Sequence, residues 1–218
     1  MAKKKKRRKP EAPIGLDKIL TPAEEKRFMY FLESVTGDPS GVQNCLIFDL
    51  MLQTGLRVSE LCKLRVKDCP GYLGGHVIRV HQGKGRKSRD IPVSERIAVN
   101  LSKYLKNYRP ATLPSTVRSS DRRKPVFNSA QRKPYNRDKI AYLLQKLASK
   151  AGIDKHVHPH MTRHTFATNA LLENRASVSE LQVLLGHSKL ATTQRYIHTA
   201  ELLDDRLGTV LDRGEWAI

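Results

Sequence analysis

The chain has 218 residues, enough for one compact domain with a core of its own, or a domain and an arm. Lys and Arg number 40 against 21 Asp and Glu, a formal charge of +19 that disfavours cationic partners and points to a polyanion, whether DNA or, in the plainer reading, ribosomal or other RNA. No apolar run approaches the ~20 residues of a membrane span, and three cysteines, Cys45, Cys62 and Cys69, without CxxC spacing argue against a disulfide framework or a zinc ribbon.

Seven of the first ten residues are Lys or Arg, and Pro10 and Pro13 oppose a helix, so residues 1–16 are expected to be a disordered basic arm. Such an arm can trail along a phosphate backbone, remain solvated, or act as an import signal. From Thr21 the run TPAEEKRFMYFLESV has an N-cap Thr, Pro at the first helical position and acidic residues in the first turn, which predicts a helix. A second, buried helix is predicted over Gln43 to Thr54, nearly all apolar. Gly55 ends it and VSELCKLRV begins the next, which puts Arg57 at a helix-to-helix corner.

HVIRVHQGKGRKSRDIPV alternates apolar and polar residues about a Gly-rich turn, the pattern of an antiparallel hairpin with Lys84, Arg86, Lys87 and Arg89 at its tip. Ser94 to Tyr108 reads as a helix, and Pro110 to Pro134 as an irregular connection. Arg118 to Lys139 holds eight basic and two acidic residues, so Arg122, Arg123, Lys124, Arg132 and Lys133 are expected to face phosphate, as are Arg86, Lys87 and Arg89. Arg137 to Ala151 is amphipathic, with Ile140, Leu143, Leu144 and Leu147 on one stripe. Thr165 to Glu173 continues a helix after HPHMTRH. Ser179 is expected to cap another that runs to Leu185 and stops at Gly186, and Thr192 to His198 carries Tyr196 on a further helix. From Ala200 to Ile218 five acidic and two basic residues reverse the charge balance.

Four motifs follow in order: TGLRVSEL from Thr54, GKGRKSR from Gly83, HMTRH from His160, and LLGHSKLATTQRY, which sets His187 nine residues ahead of Tyr196. Each has an ordinary reading. A tyrosine on such a helix is usually a partly buried aromatic, LLGH is a plain helix stop, and His156, His158, His160 and His164 have zinc-like spacings. Together and in this order, they resemble the tyrosine recombinases, the family of phage integrases and Xer-type recombinases, over about Leu16 to Ile197.

That resemblance implies a mainly α fold with a small antiparallel β-sheet, a catalytic domain over residues 17–218 behind the arm. It also implies a DNA strand-breaking and rejoining enzyme with no cofactor and no metal. A phenol with a pKa near ~10 is ionised in only about one molecule in ~1,000 at neutral pH, a deficit of roughly 4 kcal/mol, so a tyrosine nucleophile needs a proton acceptor and a positive field. The resemblance assigns Tyr196 as nucleophile, Arg57 and Arg163 as forks on the non-bridging phosphate oxygens, His187 as a further donor and His160 as the proton assistant. Lys84, with Lys87 as runner-up, would protonate the leaving 5′ oxygen, and Glu60 would support Arg57.

Partners implied by the family are double-stranded DNA at a specific site and a homo-tetramer on two duplexes, in a soluble protein of the nucleoid-bearing cytoplasm. Leu202, Leu203, Leu207, Val210 and Leu211 would pack against a neighbouring copy or the chain's own body. Family members usually carry a helical DNA-clamp domain ahead of the catalytic part. Only 56 residues precede Arg57, so the expected layout lacks that clamp: the chain is then a minimal recombinase with the basic arm as a loose substitute, one that depends on an accessory DNA-binding protein, or a fragment. Met161 and Thr162 replace the acidic residue and leucine frequent between the motif's His and Arg. Two alternatives stand beside recombination: strand relaxation of the type IB topoisomerase kind, and a catalytically silent DNA-binding regulator.

Overall fold

The structure is a computed structural model that describes residues 12, 14–70, 75–81, 88–109, 121–129 and 133–204. The chain divides into two compact units, Leu16–Phe166 and Met1–Gly15 with Ala167–Ile218. Among the described residues the architecture is mainly α with one two-stranded antiparallel sheet, as expected.

In the larger unit, α1 (Pro22–Ser34) starts with a complete capping box: Thr21 Oγ1 accepts from the Glu24 amide at 3.3 Å, and Glu24 Oε2 accepts from the Thr21 amide at 2.8 Å. The second helix, α2 (Pro39–Thr54), begins four residues earlier than predicted, because Asp38 caps it through the Gly41 amide at 2.7 Å and Pro39 suits the first turn. Its apolar residues face in every direction, so it is the buried axis of this unit. Phe48 meets Phe28 of α1 with ring centroids 3.9 Å apart. Asp49, buried on α2, accepts both arms of the Arg96 guanidinium at 2.6 and 2.7 Å, which offsets the cost of removing its charge from water.

Arg57 lies between α2 and α3 (Val58–Lys63). Strands β1 (Val77–Val80) and β2 (Arg89–Pro92) pair from Val77 opposite Pro92 to Val80 opposite Arg89, with Ile78, Val80 and Ile91 buried by the period-two pattern. The predicted Ser94 to Tyr108 helix is α4 (Glu95–Lys103) followed by a π turn over Tyr104–Tyr108. Tyr104 is fully buried and its hydroxyl donates to Gln43 Oε1 at 2.5 Å, a contact that the wide turn carries. Helix α5 (Arg137–Lys150) buries Ile140, Leu144 and Leu147.

Helix α6 (Pro159–Leu172) carries the HMTRH run. It leads into the second unit, which holds α7 (Val178–Leu185) and α8 (Leu190–Leu203). Ser177, not Ser179, caps α7. Its hydroxyl accepts from the Glu180 amide at 3.2 Å while the Glu180 carboxylate accepts from the Ser177 amide at 2.8 Å. A charged acceptor at the third helical position makes this the stronger box, and Gln182, the corresponding partner of Ser179, donates instead to the His187 carbonyl at 3.1 Å. The end of the expected disordered arm is tied down: Thr199 Oγ1 donates to the Ile14 carbonyl at 2.7 Å, Arg195 Nε donates to the Ala12 carbonyl at 2.7 Å, and Ile14 is buried. The rest of that arm, residues 1–11 and 13, lies outside the described residues. No helix among the described residues is long and apolar enough to cross a membrane.

Candidate active site

Within the larger unit the polar chemistry gathers at the corner between α2 and α3. Gly55 closes α2 at φ 59°, a left-handed conformation that costs a side-chain-bearing residue about 1 kcal/mol or more. Leu56, fully buried, pins the corner to the core. The Gly55 carbonyl accepts from Arg163 Nη1 at 2.5 Å, so an arginine 108 residues further along the chain is held two residues from Arg57. Arg163 is buried while Arg57 keeps 34% of its side-chain surface accessible.

Glu60 holds the same corner from the third position of α3. Its Oε2 accepts from the Arg57 amide at 2.9 Å and its Oε1 from Arg57 Nη1 at 3.1 Å. Burial pushes the Glu60 carboxyl up, but the Arg89 fork, the Arg57 amide and the two guanidinium charges outweigh burial and hold it below the ordinary carboxylate value. Arg89 does not reach outward to phosphate from the hairpin tip, contrary to the expectation from sequence. Its two terminal nitrogens each donate to one Glu60 oxygen at 2.9 Å, and its side chain is only 9% accessible. A bidentate pair with a buried carboxylate is a better resting place for that guanidinium than bulk solvent.

At the start of α6 the four histidines form a file, with ring centroids 5.8, 6.3 and 6.4 Å apart from His156 through His158 and His160 to His164. His158 Nδ1 accepts from the Met161 amide at 3.4 Å, a weak N-cap contact with Pro159 in the first helical position. Burial first, then the neighbouring imidazoles of His160 and His156, hold the His158 pKa down. No group of three or more His, Cys, Asp or Glu among the described residues could hold a metal ion. His160 is solvent-exposed.

In the second unit, His187 and Tyr196 lie side by side with ring centroids 6.5 Å apart and planes within 8°. The backbone of His187 is set by a Schellman stop: Gly186 takes φ 63°, its amide reaches the Val183 carbonyl, and the His187 amide donates to the Gln182 carbonyl at 3.0 Å. Its ring is set by Thr193, fully buried on α8, whose Oγ1 lies 2.9 Å from His187 Nδ1. With the hydroxyl donating, Nδ1 is the acceptor and the neutral ring carries its proton on Nε2, where it can be donated onward. Tyr196 is buried at 3% accessibility.

A protein-sequence model described as the phage integrase family matches residues 18–202, which includes Arg57, Glu60, His160, Arg163, His187 and Tyr196. The chain belongs to the phage integrase family.

Curated relatives include tyrosine recombinase XerC of Bacillus licheniformis, 36% identical over 193 residues that cover 84% of this chain and 61% of that protein. Tyrosine recombinase XerD of Xanthomonas campestris is 39% identical over 189 residues, 86% of this chain and 57% of that one. This phage integrase family chain thus spans about three fifths of the length of the curated relatives it matches. Among solved structures, the XerA recombinase crystal structure superposes with a TM-score of 0.71 at 30% identity, over 95% of this chain and 68% of that chain. The Tn1549 transposon integrase, solved with a circular intermediate DNA, gives 0.66 at 25% identity, over 89% and 68%. The catalytic domain of bacteriophage HP1 integrase gives 0.55 at 22% identity over 91% and 95%, a likeness of fold.

Of the residues expected at the family's site, Arg57, Glu60 and Arg163 share the α2–α3 corner, and His187 and Tyr196 adjoin each other in the second unit. Lys84, Arg86, Lys87 and Arg132 lie outside the described residues, as do Leu207, Val210 and Leu211. Arg122, Arg123, Lys124 and Lys133 are exposed. The turn that carries Arg122, Arg123 and Lys124 is fastened by the Lys67 amide on the Arg122 carbonyl at 2.9 Å and the Val66 amide on the Lys124 carbonyl at 3.2 Å. Two features of these clusters escape the sequence motifs. Thr193, three residues before Tyr196, shares a helix face with it, and that spacing is the available signal. The pairing of Arg89 with Glu60 has no such local signal.

Proposed function

We propose that this chain is a site-specific DNA recombinase or integrase that cleaves and rejoins strands through a 3′-phosphotyrosine link. The observation that carries the reading is the convergence of Arg57 and Arg163 on one corner, two guanidinium groups of the kind a pentacoordinate phosphate needs. Supporting it, the Xer-type relatives are themselves named tyrosine recombinases, and the Tn1549 integrase was solved with DNA.

In the proposed reaction Tyr196 Oη attacks phosphorus as the bond to the 5′ oxygen breaks, and the phenolic proton passes toward His160. Arg57, Arg163 and His187 Nε2 donate to the non-bridging oxygens. The departing 5′ oxygen takes a proton from Lys84 and becomes a hydroxyl that attacks the phosphotyrosine of another duplex. Bond energy is conserved, and the charge stabilisation comes from side chains. Arg122, Arg123, Lys124 and Lys133 contact backbone phosphates outside the reacting centre, as do Arg86, Lys87 and Arg132. Four copies assemble on two duplexes in the nucleoid, with exposed Leu202 of α8 offering apolar surface.

Incubation with a nicked duplex from the native locus, followed by denaturing electrophoresis, tests this. Wild-type protein yields a protein-linked strand, and Tyr196→Phe yields none while still retarding the same duplex in a native gel. A covalent adduct that survives in Tyr196→Phe rejects the assignment, and products confined to supercoil relaxation favour the topoisomerase alternative.

A further inference from the structure

Glu60 is the hub of four contacts. Its Oε1 accepts from Arg57 Nη1 at 3.1 Å and Arg89 Nη1 at 2.9 Å, and its Oε2 from the Arg57 amide and Arg89 Nη2, both at 2.9 Å. A carboxylate has about four lone-pair sites, so these donors match its full capacity. The two arginines are not equivalent around it. Arg89 gives a two-armed fork and is 9% accessible like Glu60, whereas Arg57 gives one guanidinium nitrogen and remains 34% accessible. The buried arginine therefore gives the carboxylate its fork, and the more accessible one gives it a single guanidinium nitrogen.

Resting on the phosphotyrosine reading above, we infer that Arg89 is a positioning residue: its two-armed fork meets most of the demand of Glu60, so that Arg57 pairs with Glu60 through one guanidinium nitrogen and not through two. The electrostatics follow from counting charges. With Arg89 in place, the Arg57–Glu60–Arg89 group carries one net positive charge, which complements a phosphate. Without it, a buried carboxylate that needs two N–H donors would take both from Arg57, and the group would be neutral. A bidentate Arg57–Glu60 pair would then compete directly with a bidentate Arg57–phosphate pair.

This differs from the default role of a basic hairpin residue, which is to touch DNA backbone. A phosphate contact adds to affinity and steepens its salt dependence by about 0.9 in log–log slope. A positioning residue acts mainly on the chemical step, and its loss touches binding only through the one phosphate contact of Arg57. Arg89→Met and Arg89→Lys in the full chain separate these roles. The measurements are single-turnover adduct formation at saturating nicked duplex, duplex affinity across a salt series, and thermal melting to confirm folding. For Arg89→Met the expected adduct rate at saturation falls about 100-fold, the scale of a 1 Å misplacement, far more than any change in the dissociation constant. Arg89→Lys restores the charge but not the fork, and recovers the rate only in part.

Since Arg89 acts through Glu60, Glu60→Gln with Arg89→Met is no slower than Glu60→Gln alone. If Arg89→Met does not fold, Arg89→Lys alone and in the Glu60→Gln background carries the same comparison. Multiplicative losses in the double variant, or a lower salt slope with a wild-type rate at saturation, would overturn the inference. Wild-type protein that forms no adduct at all removes the reaction reading itself, and this inference with it.

Discussion

At the residue scale, the His187–Thr193 contact ties one imidazole nitrogen to a buried hydroxyl. A buried hydroxyl 2.9 Å from Nδ1 biases the neutral ring toward an Nε2 proton when that hydroxyl donates. Thr193→Val keeps the β-branched shape and removes the donor, so adduct formation in single turnover is expected to slow about tenfold, equivalent to ~1.4 kcal/mol. Thr193→Ser should retain most of the rate, and equal losses in both variants would point to packing. Glu60 gives a second prediction. Its folded carboxyl holds its proton less tightly than the unfolded chain, whose ordinary value is 4.5. The stabilisation it contributes is therefore complete above that value and is lost as pH falls through the lower folded value. Urea denaturation across acidic pH should show this decline in wild type and a flatter profile in Glu60→Gln. At neutral pH Glu60→Gln is less stable by about 3 kcal/mol, because Arg89 is left buried without its countercharge.

At the element scale, the stops and starts of helices are the parts that place chemistry. Gly55 ends α2 with a positive φ, and the carbonyl of that same residue receives Arg163. Gly55→Ala should cost about 1–2 kcal/mol in urea denaturation from left-handed strain, and should reduce adduct formation further than its folded fraction explains. A variant of reduced stability with a normal rate per folded molecule would separate the corner's geometry from the reaction. The same logic governs α7, whose Schellman stop at Gly186 fixes the His187 backbone before the ring finds Thr193. In both cases a helix terminus, cheap to specify with one glycine, sets the position of a side chain whose chemistry depends on tenths of an ångström.

At the scale of the whole molecule, a charge of +19 governs association with a polyanion. Seven basic residues lie between Lys3 and Lys9, and each phosphate that the protein ceases to neutralise lowers the log–log salt slope by about 0.9. Deleting residues 3–9 is expected to flatten the slope of duplex binding by about two units or more, measured by fluorescence anisotropy across a salt series. An unchanged slope would mean that the arm is merely solvated. Local rules made much of this fold readable in advance: Thr21 and Glu24 specify a capping box within four residues, Gly55 and Gly186 specify helix ends, and the alternation about the Gly-rich turn specifies an antiparallel pair of strands. The four ordered motifs likewise carried the family by themselves. Partner choice over distance was beyond their reach. Arg89 joins Glu60 across 29 residues and Arg163 joins Gly55 across 108, and nothing within four residues of either arginine says whether it will meet a carboxylate, a carbonyl or solvent. Only the folded chain decides that, because a guanidinium settles where buried acceptors need its donors most, and the tertiary packing alone determines where those acceptors lie.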